Sequence, residues 1–305
     1  MSNAHEERLR RGVQSEGMTS GTLRTTGSAT VVEGAVRATE HALSRAGVTV
    51  LELRTPAETD RAAAVLREVW RSDQDPVPAN LLRAVQQTGG YVFGAYGDTG
   101  RLLGVSLGLL ARDHGAACLH SHITGVVAAG RRHGLGLALK QHQRLWALEH
   151  DLATITWTTD PLVRRNVAFN LHALGAQVAA YLPDHYGSMT DGLNEGDETD
   201  RFELRWDLLS DRAVRAAEGR LPLLDGAGLP AAVTDVGGLP VSTPQAGGSR
   251  VVALPADVEA LRVNDHAAAL AWRHAVRDAV APALAEGAVV AGLTAAGALV
   301  LEATP

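Results

Sequence analysis

Two groups of residues in this chain have types and spacings that could do chemistry. The first is Arg131-Arg132-His133-Gly134-Leu135-Gly136, within VVAAGRRHGLGLALK at 126–140. A hydrophobic strand pattern, LHSHITGVV, runs into this turn, and a helical pattern follows at once. Glycines there let the backbone approach a ligand with no Cβ in the way. The first turn of the helix offers unpaired N–H groups and the positive end of a dipole. Together they make an anion site, most naturally for a pyrophosphate. The second group is His120 and His122, alternate residues of the same strand, so both point to one face. An imidazole titrates near neutral pH, which makes either a candidate general base. Satisfied structural histidines and a metal pair are the competing readings, and no third ligand stands at a telling spacing. Asp160, in TTDPL, could orient a histidine or hold an amine, or simply shape a turn before proline.

The elements that must position these groups follow from periodicity. VTVLEL at 48–53 alternates as a strand. Two helical stretches follow, RAAAVLREVWRS and NLLRAVQQT, separated by Asp75-Pro76-Val77-Pro78. YVFGAYG and LLGVSLGLLAR read as a hairpin through Asp98-Thr99-Gly100. After the strand LHSHITGVV and the glycine turn, Leu135, Ala138, Leu139, His142, Leu145 and Trp146 repeat at helical spacing. ATITWTTDP is a strand, a helix runs from about Val163 to Leu174, and Gly175 is suited to cap it. AQVAAYL, a polar glycine-rich loop PDHYGSMTDGLNEGDETD, and RFELRWDLL close the run. A loop of that length implies a role of its own.

Outside this core, residues 1–30 read as a disordered tail. Residues 31–47 form a further helix or partner-binding arm, with Thr39 interrupting its apolar stripe. The regular domain spans 48–211, and 212–249 is a linker rich in Ala, Gly and Pro. A small β-α-ββ extension at 250–305 is too short to fold alone and is expected to pack on the main domain or on a second copy in a homodimer. On its helix Arg273 and Arg277 share a face and could bind the loop at 184–200, an anionic substrate, or partners in surface ion pairs.

Composition narrows the function classes. With 46% hydrophobic and 20% charged residues the chain can bury a core. A net charge of -6 gives no general attraction to nucleic acid or to an anionic membrane. No apolar run reaches the roughly 20 residues that span a bilayer, and the first 30 residues lack the apolar core of a secretory signal. One cysteine, Cys118, cannot make an internal disulfide, so a reducing, cytoplasmic setting is expected. It lies far from the glycine turn and is not read as a nucleophile.

The spacing Arg131-x-x-Gly134-x-Gly136, led by Val126, resembles the acyl-CoA-binding loop of the GNAT superfamily of N-acetyltransferases. The phrases LHSHITGV, ITWTTDPLVRRNVAFNLHALGA, YLPDHYGSMTDGLNEGDETDRFELRW and AWRHAVRDA look like a poorly characterised branch of predicted acetyltransferases, over about Thr49–Ala303. The resemblance implies an α/β (α+β) chain with the acyl-CoA N-acyltransferase fold. Its mixed central sheet is flanked by helices, and two parallel strands, around Ile123–Val127 and Ala153–Thr158, splay apart to take the pantetheine arm. It implies a diphosphate clamp at Val126, Val127, Arg131, Arg132, His133, Gly134, Leu135 and Gly136, with Asn166 facing the cofactor. Arg164 and Arg165 would meet its 3′-phosphate or a substrate carboxylate, or form a solvated face. Many members carry a tyrosine four residues before the glycine that ends this helix, as the acid for the departing thiolate; here Leu171 stands there. Tyr186, Tyr181 and His172 are the candidates to replace it, Tyr186 first.

The activity so implied is transfer of an acetyl group from acetyl-CoA, as co-substrate and with no metal, to the amine of a small molecule or amino acid. The catalytic candidates are His120, His122, Tyr186 and Asp160. A non-catalytic CoA-binding sensor and a succinyl-CoA-type acyltransferase are the alternatives.

Overall fold

The computed structural model describes residues 26–131, 133–187, 197–244 and 247–303. Strands β1 (Val48–Glu52), β2 (Tyr91–Gly97), β3 (Leu102–Asp113) and β4 (Ala116–Val126) form an antiparallel run. β5 (Thr154–Thr159) lies parallel to β4, and β7 (Arg201–Asp207) and β6 (Gln177–Leu182) follow antiparallel, giving the order β1-β2-β3-β4-β5-β7-β6. β4 and β5 pair only at Leu119↔Ile155 and His120↔Thr156, then part. This is the mixed sheet with splayed parallel strands that the resemblance implies.

Helices cover both faces of the sheet. α1 (Thr26–Ala46) precedes β1, and α2 (Pro56–Trp70) and α3 (Ala79–Gln87) follow it. α2 starts where Thr55 and Glu58 form a reciprocal capping box around Pro56. Leu66 of α2 and Leu82 and Val85 of α3 pack with Val105 and Leu107 of β3 and with Ile123 of β4. On the other face α5 (Leu135–Glu149), preceded by the short α4 (Ala128–Arg131), sets Leu135 and Leu139 against Val50 and Ala95. α1 packs on the outside of α5. The buried hydroxyl of Thr39 lies 2.8 Å from Ala35 O and 3.0 Å from Gln141 O, so the polar break in the α1 stripe joins two helices. α6 (Arg164–Ala168) continues as a single π turn, Phe169–Ala173, before β6. No helix among the described residues is long and apolar enough to cross a membrane.

The C-terminal third departs from the sequence reading. Residues 212–249 are more than a linker: α7 (Asp211–Ala217) and a hairpin of β8 (Ala231–Val236) and β9 (Leu239–Ser242) lie there. They join β10 (Arg250–Val252), β11 (Val289–Leu293) and β12 (Leu299–Glu302) in a second sheet, order β11-β12-β10-β8-β9. α8 (Val258–Asn264) and α9 (His266–Ala285) break at Asp265, whose carboxylate accepts from Ala268 N at 3.0 Å and caps α9. The extension was expected as one helix and three strands because the short hairpin strands sit among Gly and Pro. Trp272, Val276 and Val280 of α9 share one continuous core with Trp157, Leu204 and Trp206 of the first sheet. The N-terminal reading shifts as well, since α1 begins at Thr26 rather than after residue 30. Residues 1–25 lie outside the described residues.

Candidate active site

At the last β4–β5 pair, His120 and Thr156 are partners across the strands, and His120 Nδ1 lies 3.2 Å from Thr156 Oγ1. One step on, the β3–β4 register slips between the pairs Leu107↔Ile123 and Gly108↔Ser121. His122 is therefore the extra residue of a bulge, a feature that re-aims a side chain and ends pairing. Its ring centroid is 6.4 Å from that of His120. Two residues along β5 from Thr156, Thr158 Oγ1 is 2.9 Å from the Tyr186 hydroxyl. Thr156 and Thr158, at i and i+2 of β5, share a face, and the contacts to His120 and Tyr186 with the nearby His122 ring gather these five residues at the opening. His185 joins them, its ring edge-on to Tyr186 at 4.5 Å. The sequence reading missed His185 and both threonines, because a hydroxyl in a strand gives no signal of its own.

The electrostatics favour neutral imidazoles. Burial lowers the His120 pKa from its ordinary value, and the nearby His122, Lys140 and His185 lower it further. Loss of hydration also lowers that of His122, whose ring still reaches solvent. Both are thus free to accept a proton near pH 7. Burial pushes the Cys118 thiol up, which suits a packed thiol rather than a nucleophile.

The glycine turn sits at the open end of β4. Gly134 caps α5 in the left-handed region, φ 75°, with no side chain bonded to the helix start. That conformation disfavours any residue with a Cβ. Leu135, 1% exposed, wedges beneath the turn where Gly104 of β3 leaves room: a Cβ on Gly104 would lie 2.7 Å from Leu135 Cδ2. A Cβ on Gly136 would meet nothing within 4 Å, so open space lies over the first turn. Open space over a helix start is the kind of surface that takes an anion. His133 is exposed on the turn. Arg132 lies outside the described residues. The Val127 N–H donates to Leu103 O at 3.0 Å and its side chain is buried, so the sheet has already spent that amide. This corrects the expectation of Val127 as a cofactor contact; its neighbour Val126 pairs with Gly104 at the end of the strand.

Several other candidates lie away from the opening. Asp160, just past β5, is held by Arg273 at 2.9 and 3.1 Å and by Arg262, and its Oδ1 accepts from Leu162 N at 2.9 Å. Burial opposes its ionisation, but the two guanidiniums outweigh that and hold the carboxyl well below the usual range. It shapes a turn and anchors an ion cluster, so the roles of histidine orienter and amine holder are withdrawn. Arg165 forms a two-pronged pair with Glu259 of α8, one contact at 2.8 Å, and Arg164 reaches Ala296 O at 3.4 Å. Both arginines are engaged by the C-terminal third rather than presented to a phosphate. Asn166 is exposed in the first turn of α6.

The acid candidates separate clearly. Leu171 is 1% exposed in the main core, so the tyrosine position is filled by packing. The Tyr181 hydroxyl donates to Asp200 Oδ2 at 2.5 Å, and burial with that carboxylate holds its proton far above the ordinary phenol range. His172 lines a cavity of about 670 Å³ between α1, α5 and α7, on the far side of α5. Tyr186 alone reaches the opening. Its loop is pinned at both ends: His185 N donates to Thr199 O at 3.0 Å, and Tyr186 N to Thr199 Oγ1 at 2.9 Å. Arg273 binds Asp197 at 2.7 Å and Arg277 binds Asp200 at 2.8 Å, so α9 holds the loop base as the shared face of these arginines allowed. The middle of the loop, 188–196, lies outside the described residues. Among the described residues no cluster of three or more His, Cys, Asp or Glu could hold a metal ion.

No family model matches the chain, and no curated protein matches it. Among solved structures, Chaetomium thermophilum Naa20 in complex with a bisubstrate analogue is similar over 55% of this chain and 89% of that one, at 17% identity and TM-score 0.43. A GNAT-family acetyltransferase of Streptococcus pneumoniae is similar over 52% and 98%, at 12% identity and TM-score 0.42. A phosphinothricin acetyltransferase of the GNAT superfamily from Sinorhizobium meliloti, in complex with AcCoA, is similar over 52% and 87%, at 14% identity and TM-score 0.43.

Proposed function

We propose that the chain is an N-acyltransferase of the GNAT type, moving an acetyl group from acetyl-CoA to the amine of a small molecule or amino acid. The observation that carries this reading is the parting of β4 and β5 after His120↔Thr156, between a glycine-capped helix start and the neutral pair His120 and His122. The opening admits an extended arm between two strands. The amides of the α5 start supply the anion site at its end. The acceptor amine attacks the thioester carbonyl directly, and His120 takes its proton, through water where the amine stands further off. A backbone N–H at the open end of β4 hydrogen-bonds the carbonyl oxygen as charge builds there. Thr156 orients the His120 ring, and Thr158 with Tyr186 walls the acceptor side.

The test is calorimetry with CoA on wild type and Gly136→Trp. Open space at Gly136 predicts a folded variant whose CoA affinity falls at least about tenfold, the loss of one well-placed contact region worth about 1.4 kcal/mol. Unchanged affinity would remove the pyrophosphate site and the reading with it. A second reading, a CoA-binding sensor without turnover, is favoured by Leu171 where an acid is expected. Release of free CoA over a panel of primary amines, with acetyl- and succinyl-CoA as donors, separates the two and fixes the donor.

A further inference from the structure

Of 28 lysines and arginines in the chain, every one but Lys140 is arginine. That single lysine is 5% exposed, on the sheet side of α5. Its Nζ donates to Ser121 Oγ at 2.8 Å and to Gln143 Oε1 at 3.1 Å, and lies 4.2 Å from the centroid of the Trp157 ring. Ser121 and Trp157 are the first residues past the last β4–β5 pair. The ammonium therefore sits at the apex of the opening, on the face opposite His120. Among the described residues it has no carboxylate partner, unlike the arginines of α8 and α9. A buried cation without a counter-ion loses hydration and gains nothing ionic in return, so packing gives no reason for a lysine here.

We propose that Lys140 is the acid that protonates the leaving thiolate, in the place Leu171 leaves without one. The proposal rests on the acyl-transfer reading above. The amine nitrogen forms its bond to the carbonyl carbon and gives a proton to His120. The carbon–sulfur bond breaks, its electron pair goes to sulfur, and sulfur takes a proton from the Lys140 ammonium. After product leaves, the His120 imidazolium gives its proton to water and the neutral Lys140 amine takes one from water, so the starting protonation is restored. Base and acid then stand on opposite faces of one thioester. An arginine could not do this, since a guanidinium does not give up its proton in a protein. Burial lowers the Lys140 pKa to about 7, which makes the ammonium a competent donor to a thiolate. The groups that face it are Ser121 of β4, Trp157 of β5 and Gln143 of α5, none of which titrates near neutrality, with His120 felt across the strand.

A single lysine gives a single ¹³Cε signal in protein labelled at lysine. Its titration midpoint is expected near 7 in the free protein and is expected to move when CoA binds beside it; a midpoint near 10, or one indifferent to CoA, overturns the proposal. In the acetyl-transfer assay Lys140→Met and Lys140→Arg are each expected to lose about 100-fold in kcat, the usual scale of a general acid, with CoA affinity kept. Both are also expected to lose the fall in rate above pH 7. An aryl thioester donor, whose thiolate leaves without a proton, is expected to bring both variants back to the wild-type rate. A purely structural lysine would predict that Lys140→Arg keeps its rate and that the aryl thioester rescues neither. If wild type itself binds CoA but releases none over the amine panel, the acyl-transfer reading fails instead. If wild type turns over and the variants match it, Lys140 has no part in the proton transfer.

Discussion

Two buried cations contact β5 or the residue that follows it, and they are solved in opposite ways. Arg273, with no exposed surface, is bracketed by Asp160 and Asp197, and Arg262 closes the same cluster. Lys140, 5% exposed, meets a hydroxyl, an amide and an indole face. The first arrangement fixes charge: burial alone would lower the Arg273 pKa, yet the facing carboxylates raise it. The second leaves charge adjustable, since nothing anionic opposes the effect of burial. A paired cluster ties the C-terminal helices to the loop that carries Tyr186. An unpaired amine in the strand gap is suited to exchange a proton. The chain's strong preference for arginine makes the contrast sharper, because only an amine can occupy the second kind of site and titrate.

Breaking the paired centre has the largest expected effect. Arg273→Ala leaves Asp160 and Asp197 to share Arg262 in the core, and a loss of about 3–5 kcal/mol in urea unfolding is expected. Adding Asp197→Asn alone to that variant is expected to restore part of the loss, since Asp160 and Arg262 then remain as one matched pair.

The two centres also predict pH responses of the same sign in separate windows. The folded-state pKa of Asp160 is depressed, so its stabilisation is present above the unfolded value near 3.9 and fades as pH falls below it. Lys140 is also depressed, to about 7 from 10.5, but it is a cation. Between those values the unfolded chain holds a proton that the folded chain lacks, so stability rises with pH there, by at most about 1.4 kcal/mol per unit. Subtracting the Lys140→Met unfolding curves from wild type isolates this slope; a flat difference between pH 7 and 10 would refute the unpaired picture. At pH 6 the methionine variant is expected to equal or exceed wild type in stability.

A smaller effect tests which face does which chemistry. His120→Ala is expected to lower kcat by about 100-fold and to abolish the acid limb of the pH profile, which should lie below 6.5 because the His120 pKa is depressed. Tyr186→Phe removes only a hydroxyl contact to Thr158 and is expected to cost less than about 1.5 kcal/mol in either stability or activation. A loss of 100-fold from Tyr186→Phe, with Lys140→Met silent, would return the acid to the loop.

Much of this was legible from local pattern. The strand and helix order through Asp207, the Gly134 cap, and the His120/His122 pair all follow from residues adjacent along the chain, where a period or a turn residue speaks for itself. The hairpin of β8 and β9 was not legible, because short strands among Gly and Pro gain their identity from the neighbours they pair with. The fate of Asp160 was hidden for a similar reason: its partners Arg262 and Arg273 lie more than a hundred residues away. Lys140 was visible as the lone lysine, yet its helix register alone could not say that its tip ends in a gap between strands.

By itself, then, the sequence determined the alternation of elements, the glycine turn and the residue types able to move protons, since those depend on backbone preference and short spacing. Which carboxylates were consumed by arginines, which tyrosine reached the opening, and which cation was left without a counter-charge were settled only by tertiary packing. Charge pairing and desolvation act through space over a few ångströms, and chain distance carries no record of them.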